Sequence, residues 1–133
     1  MAKYNLTWQE TDAQLLEALL LATGGEGGAS LQNMLLMMDA ADGDVPTLQE
    51  VEQALEKLIA VKYVRVQKNQ LSLSPLFMVD YEDIAGAEDE QQAILNLLQR
   101  KELTPESMDE PKILLKKYKV RNYYQAYLEQ FGG

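Results

Sequence analysis

Apolar positions along this chain first follow a helical period, drop to a period of two, and then return to the helical one. Leu15, Leu16, Leu19 and Leu20 fall one turn apart, predicting a first helix that opens at Thr11 as N-cap with Gln14 three residues on. Trp8 stands just before it as a packing anchor. The helix stops at "TGGEGG", Thr23 to Gly28, where four glycines remove helical bias. With no GxxxxGK[ST] pattern and no strand before it, this segment reads as a loop and not as a phosphate cradle. Ser30 then caps a second helix whose Leu31, Met34, Leu35 and Met38 keep the i, i+3, i+4, i+7 stripe. Leu36 and Met37 widen that stripe, which calls for deep burial or a covering partner.

The third helix has the strongest local signal. Thr47 and Glu50 form a capping box, and Leu48, Val51, Leu55, Leu58 and Ile59 make the apolar stripe. The period then becomes two. Val64 and Val66 alternate with Tyr63, Arg65 and Gln67, while Leu71 and Leu73 alternate with Gln70, Ser72 and Ser74. With Lys68-Asn69 as the turn, Val66 faces Leu71 and Val64 faces Leu73, so all four share one face.

Further on, "DYEDIAGAEDE" reads as a solvated acidic connector. Ile94, Leu97 and Leu98 mark a fourth helix ending near Lys101, and Thr104-Pro105 and Glu110-Pro111 punctuate the chain beyond it. The last segment, "PKILLKKYKVRNYYQAYLEQFGG", joins the bases Lys112, Lys116, Lys117, Lys119 and Arg121 to an amphipathic stripe of Tyr124, Tyr127, Leu128 and Phe131.

Three helices running into a hairpin, carried by "SLQNMLLMM", "TLQEVEQALEKLIAVKYV" and "RVQKNQLSLSP", resemble the winged-helix branch of the helix-turn-helix superfamily over roughly residues 8–76. The fold expected is therefore α+β and mostly helical: a winged helix of three helices plus a β-hairpin wing over residues 1–79. Residues 80–133 form an acidic connector and a C-terminal helical extension, packed on the same domain or on a second subunit. The sequence departs from the family pattern in two ways. "DAADGDVP" is a long connection between the second and third helices. The third helix, which in DNA-binding members offers polar and basic groups to the groove, here presents Gln49, Glu50, Glu52, Gln53, Glu56 and Lys57.

Charge sharpens that conflict. The net charge is −9, but residues 1–110 hold 20 acids and 7 bases while residues 111–133 hold 1 acid and 5 bases, so a −13 body carries a +4 tail. An acidic body disfavours non-specific nucleic-acid binding, which draws on counterion release from phosphates. Cysteine and histidine are both absent, which removes disulfides, thiolate nucleophiles, Cys/His zinc sites and imidazole bases. "DAADGDVPTLQE" has the length of a calcium loop, but its third position is Ala41, its fifth Gly43 and its sixth Asp44, where glycine is needed. Neither a metal nor a cofactor is expected. The carboxylates Asp80, Glu82, Asp83, Glu88, Asp89 and Glu90 lack an apolar pocket that could tune them for acid-base work, so no enzyme is expected either. No apolar run is long enough to cross a bilayer, which predicts a cytoplasmic protein with no membrane partner.

Two functions are compatible with this pattern. The favoured one is a non-catalytic regulatory or protein-interaction module, with a protein partner or self-association into a homodimer. Lys112, Lys116, Lys119, Arg121, Tyr124, Tyr127, Leu128 and Phe131 are its contact candidates. The alternative, implied by the resemblance and disfavoured by charge, is a DNA-binding transcriptional regulator. In it Gln49 and Gln53 read adenine edges, Lys57, Lys62, Arg65 and Lys68 neutralise phosphates, and the basic C-terminal segment is a further candidate for tracking phosphate.

Overall fold

Most helix starts in this protein are set by side-chain caps, and one cap displaces an expected start. A computed structural model describes residues 6–67 and 69–131, so Lys68 and the closing Gly132-Gly133 lie outside the described residues. Helix α1 (Glu10–Thr23) is capped by Gln9 and not by Thr11, because Asp12 accepts the Gln9 N–H at 2.8 Å and draws the start back. Gly24, in the left-handed region at φ 67°, closes the helix by donating to the Leu20 carbonyl at 2.8 Å. The glycine segment is not all loop: strand β1 (Gly28–Ala29) pairs antiparallel with Ser72 and Leu71. A Cβ on Gly28 would lie 3.0 Å from the Gln70 side chain and 3.3 Å from the Leu71 carbonyl, so glycine permits the close approach.

Helix α2 (Leu31–Asp42) starts at Ser30, whose Oγ accepts the Asn33 N–H at 3.1 Å. Because Asp39 to Asp42 remain helical, the connection to the next helix is only residues 43–47, shorter than the sequence suggests. Leu36 and Met37 are half-buried against the core. In helix α3 (Leu48–Ala60), Thr47 Oγ1 accepts the Glu50 N–H at 3.2 Å while the Glu50 carboxylate accepts the Thr47 N–H at 2.9 Å, the reciprocal box expected. Lys62, at φ 66°, turns the chain: its N–H bonds the Ile59 carbonyl and the Tyr63 N–H bonds the Leu58 carbonyl, both at 3.0 Å.

Strands β2 (Val64–Gln67) and β3 (Gln70–Leu73) pair antiparallel with Val64 opposite Leu73 and Val66 opposite Leu71, the predicted register. The sheet order is β1-β3-β2, which leaves β2 at an edge.

The acidic connector is partly helix. Ser74 caps α4 (Pro75–Glu82), with Pro75 in its first turn, and Phe77 is buried against Tyr63 with ring centroids 5.1 Å apart. Asp80 accepts a 2.5 Å hydrogen bond from the Tyr63 hydroxyl, and that bond, with the Lys101 ammonium 3.4 Å away, holds its carboxyl below the usual range. Burial and the same bond push the Tyr63 phenol upward. Asp80 is therefore a structural partner and not part of a free connector.

Helix α5 (Glu90–Gln99) packs on α1, and helix α6 (Pro105–Tyr118) on α3. Pro111 does not stop the chain: it sits buried inside α6, among Met108, Leu115 and Tyr118 on one face. There the lost hydrogen bond to the fourth residue back is offset by packing. Lys119, at φ 64°, separates α6 from α7 (Val120–Phe131), which packs on α2. Leu115, Tyr118, Val120, Tyr124 and Tyr127 join the same core as Leu15, Leu55 and Leu71, so the extension docks on its own body. Among the described residues, no helix is long and apolar enough to cross a membrane.

One charge pair lies inside that core. The fully buried Lys57 ammonium is 2.7 Å from Asp12 Oδ2 and also donates to the Thr7 carbonyl at 2.8 Å. Burial raises the Asp12 carboxyl above its ordinary value, while Lys57 and the Gln9 N–H pull it back. Replacing Lys57 by Met leaves that carboxyl buried without its charge partner, with an expected loss of about 3–5 kcal/mol near neutral pH. In this variant the folded form retains a proton that the unfolded form releases near 3.8. Its stability should thus be greatest at acid pH and fall as pH rises, read as urea midpoints from about pH 3 to about pH 7.

Candidate functional site

The face of α3 that a groove reader would present is flanked by α6 and by the start of α7. Glu52 and Glu56, one turn apart, are half-buried there. With Lys112, Leu115, Lys116, Lys119, Val120 and Arg121 they line a groove of about 580 Å³. Arg121 Nε lies 3.8 Å from Glu52 Oε1 with the arginine 80% exposed, so this pair complements charge without adding much stability. Glu56 is pushed up by burial, pulled down by the Lys112 ammonium and raised again by Glu52. The acidic helix and the basic segment therefore compensate one another within one chain.

Helix α7 braces the other side. The Tyr124 hydroxyl donates to the Pro46 carbonyl at 2.7 Å, fixing the connection that leads into α3. Burial raises Tyr124 and Tyr127, with Glu50 and Asp44 adding to the first and Asp39 to the second. Burial also pushes the Tyr118 phenol to about 12.

The expected residues are not gathered into one surface. Gln49 is exposed near the start of α3, Gln53 is half-buried, and Lys62 and Arg65 are exposed at the hairpin. Lys68 lies outside the described residues. Lys57, expected on the outer face as a phosphate contact, is buried against Asp12 because α3 turns this residue toward α1. Of the C-terminal candidates, Lys112, Lys116, Lys119 and Arg121 are exposed around the groove, and Tyr124 and Tyr127 are buried. Leu128 and Phe131, expected to share the buried stripe, are instead 38% and 46% exposed, because the stripe that docks runs through Val120, Tyr124 and Tyr127.

Sequence reasoning missed the facing of Glu52 and Glu56 toward Lys112. The usable signal was the spacing of Met108, Pro111, Leu115 and Tyr118, which continues a helical face straight through the proline. Among the described residues no group of three or more Asp, Glu, His or Cys side chains is arranged to hold a metal ion. Compared with family models, curated proteins and solved structures, the chain finds no match.

Tyr124→Phe tests the brace. It removes one hydrogen bond and leaves the ring in place, so the urea midpoint should drop by the equivalent of about 1 kcal/mol. An unchanged midpoint would mean that α7 does not hold the α2–α3 connection.

Proposed function

We propose that this protein is a non-catalytic protein-interaction or regulatory module built on a winged-helix scaffold. The scaffold reading is supported by three helices followed by a hairpin in the anticipated register. The observation that carries the functional reading is the cover over α3, whose Glu52 and Glu56 face the chain's own basic segment. A helix that reads base edges needs an open face. This one is flanked by α6 and the start of α7, and each glutamate brought within about 4 Å of a phosphate in water would cost on the order of 1 kcal/mol.

The DNA-binding alternative retains Lys62, Arg65 and Gln49 as exposed groups, loses Lys57 to the core, and has its C-terminal bases Lys112, Lys116, Lys119 and Arg121 beside Glu52 and Glu56. That is a small inventory against a net charge of −9. A cytoplasmic setting goes with the interaction-module reading, as does a surface that binds protein and not phosphate.

Fluorescence anisotropy with random duplex DNA separates the two readings. No binding is expected at physiological salt. Affinity of about 1 μM or tighter that falls steeply as salt is added, and that is lost on replacing Lys62 and Arg65 by alanine, would establish the wing as a DNA contact and overturn the proposal.

A further inference from the structure

The open edge of the sheet offers a more specific surface. Among the described residues, β2 pairs with β3 on one side only. The Ser74 N–H donates to the Tyr63 carbonyl at 2.9 Å, which fixes the alternation along the ladder: the Tyr63 carbonyl and the backbone groups of Arg65 and Gln67 are directed toward β3. Val64 and Val66 therefore direct theirs outward. A groove of about 400 Å³ touches all four residues of β2 together with Ile59, Leu76 and Leu114. Since side chains alternate between faces, contact with four consecutive residues places the groove along the backbone edge of the strand. Ile59 and Leu114 are half-buried and Leu76 is 43% exposed, so the far wall is apolar and open to solvent.

Charge selects the occupant. Among the described residues, Lys62 and Arg65 line this groove and no carboxylate does, a local reversal of sign in a chain of net charge −9. Glu106 and Glu110 line the adjoining hollow, which shares Ile59, Lys62 and Leu114 with this groove, and bound the basic stretch on that side. An extended segment laid along β2 would find outward N–H and C=O groups, an apolar wall and two cations within one site.

We propose that the outer edge of β2 receives an extended acidic segment of a partner protein as an added strand. Its backbone pairs with Val64 and Val66, its apolar side chains rest on Ile59, Leu76 and Leu114, and its carboxylates meet Lys62 and Arg65. The proposal rests on the interaction-module reading and gives it a surface and a partner chemistry.

Selection of a random peptide display library on the full chain, followed by amide spectra of the ¹⁵N-labelled protein with the enriched peptides, tests it. Enriched peptides should alternate Val, Ile or Leu with Asp or Glu, and their binding should shift and protect the Val64 and Val66 amides. Arg65→Glu, a change at an exposed side chain, should leave the unfolding midpoint in place and weaken binding by about tenfold. Val66→Pro, which removes an outward N–H at a strand edge where proline is tolerated, should abolish it. Failure to enrich any peptide, enrichment without acidic residues, or unchanged affinity in Arg65→Glu would overturn the edge assignment. Peptides that shift α6 and α7 in place of β2 would also overturn it, while leaving the interaction-module reading intact. Loss of that reading would appear separately, as salt-sensitive binding of duplex DNA.

Discussion

The contact between Lys57 and Asp12 governs how α3 faces its surroundings. A lysine with no exposure has to find a carboxylate, and Asp12 in the first turn of α1 supplies it at 2.7 Å, with the Trp8 ring 5.8 Å from the ammonium. Net stabilisation from such a pair is small, because desolvating two charges offsets most of their attraction. Its larger effect is rotational. With Lys57 turned toward α1, Glu52 and Glu56 are turned toward α6, and the acidic side of α3 becomes a half-buried groove wall that favours positive charge opposite it.

The C-terminal segment meets that need. Its +4 charge sits beside the −13 body, and the junction of α6 and α7 brings Lys112, Lys116, Lys119 and Arg121 around the two glutamates. The exposed ion pair there is too solvated to hold the helices together. Burial of Met108, Leu115, Tyr118, Val120, Tyr124 and Tyr127 does that, with charge complementarity setting orientation. The helix that initially looked like a misfit DNA reader is thus a central element packed on two sides. Lys62 and Arg65, outside this arrangement, stand at the edge of the sheet.

Much of the body was legible in the sequence because its signals are local. Ser30 and Thr47 sit where they cap, and the alternation from Val64 to Leu73 admits one register for a two-residue turn. Other features depend on distant partners. β1 is too short to show a period and exists only because Gly28 can approach Gln70 and Leu71. Asp80 looks solvated beside its acidic neighbours, yet it is claimed by Tyr63, 17 residues earlier. Pro111 reads locally as a breaker, and its place in a helix is decided by the core it joins. Lys57 looks exposed in any helical wheel that omits Asp12. The candidate site shared this fate: its basic residues were visible in the sequence, but the glutamates they face could be assigned only once α6 was known to continue through the proline.

Amide hydrogen exchange on a dilute, monomeric sample tests most directly whether α6 is a docked part of the body lying over α3. The amides of Leu114 and Leu115 should exchange slowly, within about tenfold of those of Leu55 and Leu58 in α3, because both helices open in one cooperative unit. Exchange of the α6 amides at rates near those of an unfolded chain, with α1 to α3 still protected, would show instead that α6 is not docked on α3.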